Sequence, residues 1–352
     1  MSDKNQEFPI DQELEAPLKK VRYPGFDMDI LSMQLVNEAR LLEGKAVIHL
    51  RPVSAPPEVR EELENQIAAM VREATGVAEV EVHSPEPPQP KKQAEKGPHA
   101  IDGVKWVVPV ASGKGGVGKS TVAVNLAMAL SSQGLKVGIL DLDLYGPSVP
   151  MMLGVTGVQP DAVGDKIAPI MAHGLKAMSV GFLIKADTAL IWRGPLVMKA
   201  VRQLLHEVAW APLDVLILDL PPGTGDVQIS MAQEVPITGA VVVTTPQDVA
   251  LTDAIKGVDM FRQVNAPLMG IVENMSYFNC PDCGSRHEIF GHGSVKPLCE
   301  KLGVPYLGEI PLDPSLRQLA DLGQPKTVLE SPAGEPYREL AKKVMAQLES
   351  QD

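Results

Sequence analysis

One short segment constrains the fold more than any other. An apolar run, Trp106 to Ala111, leads straight into Ser112-Gly113-Lys114-Gly115-Gly116-Val117-Gly118-Lys119-Ser120-Thr121. Gly113 to Ser120 fits G-x-x-x-x-G-K-[ST]. Glycines let a backbone curl so tightly that successive N–H groups point inward, at phosphate oxygens. A helix beginning at Lys119 adds its partly positive end to the same anion. Lys119 is then placed to reach the β- and γ-phosphates, and Ser120 to ligate Mg²⁺. The strand before and the helix after provide the context that a bare pattern match lacks.

Downstream, strand-length apolar runs alternate with helical ones. Strands are predicted at 106–111, 136–141, 214–220, 239–245 and 268–273, and helices at 119–133 and 249–264. Apolar strands separated by helices imply an α/β fold, a P-loop NTPase with a mostly parallel sheet covered by helices on both faces. Upstream, residues 84–100 are rich in Pro, Lys and Glu without apolar periodicity, and read as a linker. They divide a small N-terminal α/β domain, 1–83, from the P-loop domain, 101–352. The small domain shows a strand at 45–51 and a second at 77–82. Between them, Val59, Leu63, Ile67, Met70 and Val71 mark a helix over 57–74. It carries no catalytic constellation and reads as a docking or dimer-supporting module.

Composition excludes several functions. The balance of 32 Lys plus Arg against 44 Asp plus Glu gives a net charge of −12, opposed to general nucleic-acid binding. No run approaches the roughly 18 apolar residues of a membrane span, and the first twenty residues lack the apolar core of a secretory signal. Three cysteines in 352 residues make no disulfide framework and point to a reducing, cytoplasmic setting.

Several polar residues fall at the ends of predicted strands. Asp141 and Asp143, two apart, are expected on one face of a strand end. Asp219 ends the next apolar run, followed by Pro221 to Asp226, a stiff then flexible loop suited to sensing a γ-phosphate. Asn274 follows the strand at 268–273. The sequence Cys280-Pro281-Asp282-Cys283 admits three readings. One is a thioredoxin-like redox pair, which the surrounding P-loop fold disfavours. Another is a zinc site completed by His287 or His292, although both read better as loop-structuring residues. The third is a site shared across a two-fold axis, four thiolates holding Zn²⁺ or a [4Fe–4S] cluster. Cys299 reads as a small core residue.

Four stretches together resemble the Mrp-type (ApbC-like) iron–sulfur cluster carrier ATPases of the MinD/ParA-like class with a deviant phosphate loop. They are GKGGVGKST at 113–121, DLDLYGPSVP at 141–150, LDLPPGTGD at 218–226 and ENMSYFNCPDCG at 273–284. WRGP at 192–195 and IPLDPSLR at 310–317 add to the likeness. The resemblance implies a homodimer that binds ATP with Mg²⁺, carries a [4Fe–4S] cluster on Cys280 and Cys283, and delivers it to apo-proteins. It also implies that a scaffold donates the cluster and that slow ATP turnover gates transfer. It implies that the loop from Gly113 to Thr121 holds the nucleotide and that Lys114 reaches across to the partner's nucleotide. Asp143 would position or activate the attacking water, Asp141 would lie near Mg²⁺, Asp219 would hold it through water, and Asn274 would read adenine. The N-terminal domain is similar to PaaD-like assembly domains, but Arg51 to Pro57 lacks their cysteine and the first helix is expected to be degenerate or absent. A spatial-organising ATPase of the MinD/ParA kind and a zinc-stapled nucleotide-binding dimer are the competing readings. The C-terminal stretch 337–352 could anchor the former to a membrane, but its acids and its Leu340, Val344 and Leu348 stripe favour packing on the domain.

Overall fold

The computed structural model describes residues 10–24, 28–33, 35–42, 44–51, 57–84, 98–144, 146–182 and 194–351. Of the expected linker, 85–97 lie outside the described residues; so do 52–56 of the cysteine-free turn, Tyr145, and Trp192 with Arg193. The chain divides into two compact units, Met1–Lys96 and Gly97–Asp352.

The first unit contains α1 (Gln12–Leu18), β1 (Val36–Leu42), β2 (Lys45–Leu50), α2 (Pro57–Thr75) and β3 (Glu79–His83). Its three strands stand in the order β1-β2-β3, with β1 antiparallel and β3 parallel to β2. Alternate β2 residues Ala46, Ile48 and Leu50 face a core shared with Leu63, Ile67 and Val71 of α2. The expectation of a missing first helix is corrected: α1 is present and buries Leu14, Pro17 and Leu18. The strand β1 was not foreseen either. A register shift between Val36 and Glu38 puts its buried residues, Val36 and Ala39, three apart rather than two. That spacing conceals a strand from any search for alternation.

The second unit begins with β4 (Val104–Ala111), α3 (Lys119–Ser132), β5 (Val137–Asp141) and the short α4 (Val149–Met152). A ribbon, β6 (Ala162–Val163) and β7 (Lys166–Ile167), precedes β8 (Ile170–Ala172) and β9 (Leu175–Ser179). Then come α5 (Gly194–His206), β10 (Leu213–Asp219), α6 (Asp226–Ala232), β11 (Ala240–Thr244), α7 (Asp248–Gln263) and β12 (Leu268–Glu273). A hairpin, β13 (Phe278–Asn279) with β14 (Arg286–His287), leads to α8 (Val295–Leu302) and β15 (Tyr306–Glu309). The chain closes with α9 (Pro314–Asp321), α10 (Pro325–Glu330) and α11 (Glu335–Glu349).

Eight of these strands form one sheet in the order β15-β12-β11-β4-β10-β5-β9-β8. Every pairing is parallel except the β8–β9 edge. The two-residue period of a strand divides the sheet's apolar side chains between two cores. Val108 and Val110 of β4 join α3 and α11 on one face, whereas Val107 and Ala111 join α5, α7 and α8 on the other. Helix α3 is buried from Val122 to Leu130 because the sheet covers one side and α11 the other. As expected, the C-terminal helix packs on the domain, burying Leu340, Val344 and Leu348. Among the described residues no helix is long and apolar enough to cross a membrane. The strand order reverses around β4, so the C-terminal ends of β4, β5, β10 and β12 converge on the edge where an open α/β sheet takes its ligands.

Candidate functional site

The loop from Ser112 to Gly118 joins β4 to α3 and is held from three sides. Gly113 lies against α7: a Cβ built there would strike the Asp253 carbonyl. Gly118 takes φ +80° and faces Asn274, whose amide nitrogen a Cβ would meet. Glycine is thus required at both positions, by close approach at the first and by left-handed backbone and contact together at the second. The Gly223 N–H donates to the Ser112 carbonyl at 2.9 Å, so the loop from Pro221 to Asp226 is bonded directly to the start of the phosphate loop. Gln228 closes that segment by donating from Nε2 to the Pro222 carbonyl at 2.8 Å. Gly115, Gly116 and half-buried Lys114 line the more open part of the loop, and Val117 is buried beneath it.

Lys119 is buried, with its Nζ 2.5 Å from Asp219 Oδ1, 3.3 Å from Ser120 Oγ and 3.9 Å from Asp143 Oδ2. The second oxygen of Asp219, Oδ2, is buried without a hydrogen-bond partner. Burial pushes the Asp219 carboxyl up, against the pull of the Lys119 ammonium. The orphaned carboxylate oxygen of Asp219 and the nearby Ser120 hydroxyl are oxygen ligands of the kind a hydrated Mg²⁺ takes.

Asp141 lies near Asp219, and both of its oxygens accept hydrogen bonds from the chain that follows β5 and from Ser179. Its Oδ1 accepts the Asp143 N–H at 3.0 Å, and its Oδ2 accepts the Val149 N–H and the Ser179 hydroxyl, both at 3.2 Å. These three donors tie the carboxylate to the 142–149 loop, which it helps to organise. Burial first, then the nearby Asp219 charge, pushes it up to about 7. The strand ends at Asp141, so Asp143 does not share a strand face with it. It reaches the Lys119 ammonium from the loop that Asp141 holds.

Asn274 is buried and donates from Nδ2 to the Val117 carbonyl at 2.8 Å, tying the end of β12 to the phosphate loop. Next to it Met275 takes φ 54°, uncommon for such a side chain. Beside Gly118 and Thr121 opens a cavity of about 190 Å³ whose walls include Asn274, Met275, Pro311, Leu312, Asp313 and Arg317. The segment 311–317 was marked in the sequence only by its likeness to IPLDPSLR. Its part in this wall depends on β15 ending beside β12, which no local pattern reports.

The chain leaves that wall at Ser276 and enters the cysteine hairpin. Cys280 is half-buried and Cys283 exposed. The turn is closed by the Cys280 N–H on the Ser285 carbonyl at 2.9 Å and the Gly284 N–H on the Cys280 carbonyl at 2.8 Å. The Ser285 hydroxyl, 3.1 Å from Cys283 Sγ, and then the neighbouring amides and Cys280 draw the Cys283 thiol below its ordinary range. Cys299 lies apart in α8, 2% exposed, and burial pushes its thiol up to about 11. His292 pairs with Glu288 at 3.3 Å, and His287 sits on β14 beside Phe278. Among the described residues no three His, Cys, Asp or Glu side chains come together as a metal site. Neither histidine therefore completes a ligand set with the cysteines.

Comparison with known proteins places the chain in a family. The model of a ParA-group family, described as NUBPL iron-transfer P-loop NTPase, matches residues 103–345. The iron-sulfur cluster carrier protein of Escherichia coli K12 is 50% identical over 292 residues, 82% of this chain and 79% of its own length. That of Deinococcus radiodurans is 43% identical over 342 residues, 96% of each chain. Among solved structures, a nucleotide-binding protein from Archaeoglobus fulgidus in complex with ADP shares the fold with a TM-score of 0.59 and 39% identity, over 66% of this chain and 91% of that one. With the match running from residue 103 to 345, across the phosphate loop and the cysteine hairpin, the chain belongs to the NUBPL iron-transfer P-loop NTPase family.

Proposed function

We propose that this protein is an ATP-dependent iron–sulfur cluster carrier. It holds a [4Fe–4S] cluster between the Cys280 and Cys283 pairs of two copies and passes it to apo-proteins, with ATP binding and hydrolysis gating transfer. One observation carries the reading: two thiols, one exposed and one half-buried, short of a full ligand set among the described residues, grow directly out of the wall of the cavity beside Asn274. Four thiolates from two copies complete the set that such a cluster needs. An exposed cluster on a short hairpin is also one that a recipient can reach, as a carrier requires. A scaffold supplies the cluster, and the free thiols suit a reducing cytoplasm.

Each residue of the nucleotide site has a role in this reading. Backbone amides from Gly113 to Thr121 receive the phosphates, and the 190 Å³ cavity beside Asn274 receives the adenine. Lys119 exchanges Asp219 for phosphate oxygens when nucleotide enters, which frees the carboxylate for metal. Ser120 and Asp219 hold Mg²⁺, which supplies charge neutralisation on the phosphates. Lys114 has no ion-pair partner among the described residues and extends to the partner's nucleotide, where a cation steadies the leaving group. Asp143 orients the attacking water. Asp141 serves indirectly, by fixing the loop that carries Asp143.

The test is anaerobic reconstitution with iron and sulfide. Wild type is expected to take up cluster; Cys280→Ala and Cys283→Ala should take up none, with ATP affinity unchanged. Stoichiometric zinc that iron and sulfide cannot displace would support the zinc-stapled dimer instead. ATP-dependent sedimentation with anionic vesicles, without any cluster, would support the spatial-organising ATPase.

A further inference from the structure

The hairpin that carries the cysteines is fastened to the cavity wall at more than its chain ends. Its base is stitched by two backbone bonds: Ser276 N–H to the Ile310 carbonyl at 3.0 Å, and Leu312 N–H to the Tyr277 carbonyl at 2.7 Å. Its far strand is fastened by Arg286. The guanidinium donates through both terminal nitrogens to Glu309, 3.0 Å to Oε1 and 3.0 Å to Oε2, and lies 3.8 Å above the Tyr277 ring. A two-point arginine–carboxylate contact fixes direction as well as distance.

Glu309 is in turn tied inward. Its Oε2 accepts the Ser276 hydroxyl at 3.2 Å, and the same hydroxyl stands 3.1 Å from Glu273 Oε1. Glu273 is buried, and its Oε2 accepts the Tyr306 hydroxyl at 2.9 Å. Glu273 immediately precedes Asn274 and Met275, and Glu309 lies two residues before Pro311; all three of those residues line the cavity. The ends of β12 and β15 therefore do two things at once: they continue into the cavity wall, and they hold the hairpin through one chain of polar contacts.

We propose that the Arg286–Glu309 pair is the positioning link through which nucleotide in the cavity beside Asn274 sets the accessibility of Cys280 and Cys283. The link rests on the placement of nucleotide and cluster proposed above. When the 309–313 segment adjusts to a bound base, Glu309 moves with it, and the two-point contact transmits the displacement to β14 and the cysteine turn. Without Arg286 the hairpin keeps its backbone stitches but loses the contact that fixes its far strand.

The experiment uses the reduced, cluster-free full chain and the rate at which iodoacetamide alkylates Cys280 and Cys283, read by mass spectrometry. The rate is measured with and without a non-hydrolysable ATP analogue and Mg²⁺. In wild type the analogue is expected to change that rate by about fivefold or more, the range of an ordinary coupling between two sites. Arg286→Met should bind the analogue with affinity within about twofold of wild type by calorimetry, while the rate ratio collapses toward one. Glu309→Gln, which attacks the link from its other end, should behave alike, and Arg286→Lys, with one bond in place of two, should fall between. A wild-type ratio in either variant that binds the analogue overturns the proposal. So does a wild-type chain that binds the analogue and shows no change in rate. Failure of the carrier reading itself would appear elsewhere, in the iron and sulfide content after reconstitution, on which this measurement does not depend.

Discussion

The phosphate loop and the cysteine hairpin lie either side of a shared wall and are built on opposite principles. The loop is enclosed: Lys119 and Asp219 are 6% and 0% exposed, backed by a strand, a buried helix and α7. The hairpin has strands of two residues each and an exposed cysteine at its turn. The loop is complete before a ligand arrives, its buried charges already paired with one another. Among the described residues the hairpin offers two thiols, where a cluster or zinc takes four ligands. An enclosed site binds nucleotide by exchanging partners within itself, whereas in the proposed reading the hairpin recruits a second copy, and what is recruited can also be released.

The largest test of this contrast removes the loop's central charge. Lys119→Ala should abolish measurable ATP binding and also destabilise the apo-protein, because Asp219 is left buried without its counter-charge. Removing one member of a buried pair costs about 3–5 kcal/mol. Lys119→Ala combined with Asp219→Asn should recover most of that stability in denaturant unfolding, yet still fail to bind ATP. Cluster uptake by the double variant should persist, since the hairpin does not depend on the loop for its ligands.

Alanine at two glycines compares the regions in the same way. At Gly113 a methyl group meets the backbone of α7, and overpacking of this kind costs about 1–3 kcal/mol. At Gly284, φ +71° with open space around the Cβ, the loss should be about 1 kcal/mol and confined to the hairpin. Equal losses in chemical unfolding would mean that the hairpin is as integral to the core as the loop.

A smaller effect follows from Asp141, pushed up to about 7 by burial and by Asp219. Because the folded chain binds this proton more tightly than the unfolded chain, the stabilisation is full below about pH 4 and is lost as pH rises toward 7. The apo-protein should therefore lose about 2 kcal/mol between about pH 5.5 and 8 from this group, and Asp141→Asn should flatten that slope. The hairpin should show no matching pH dependence in its contribution to stability.

How far each region could be read from sequence follows from the same difference. The phosphate loop is legible because its chemistry lies within a few residues: glycines, lysine and serine act where they stand, and the flanking strand and helix came within two residues of those expected. The strand-end aspartates were found as residues but not in their geometry. Asp143 lies past the end of β5, and Asp141 is occupied by the donors of its own loop. Strand β1 escaped because a bulge broke its alternation, and α1 because it is seven residues long with Pro17 inside it. The cavity wall at 311–317 and the Arg286–Glu309 contact were beyond reach. They arise from β15 settling beside β12, a tertiary event with no local signature. The cysteine pair was visible, but its exposure was not, nor the absence of a third ligand among the described residues.

The central claim is that one cluster is held by two copies of this chain, and native mass spectrometry of the anaerobically reconstituted protein tests it most directly. The account predicts a dimer carrying one [4Fe–4S] cluster, which falls to cluster-free species when Cys283 is replaced by alanine. A monomer retaining a full cluster, or a cluster-loaded dimer that survives loss of both Cys280 and Cys283, would contradict it.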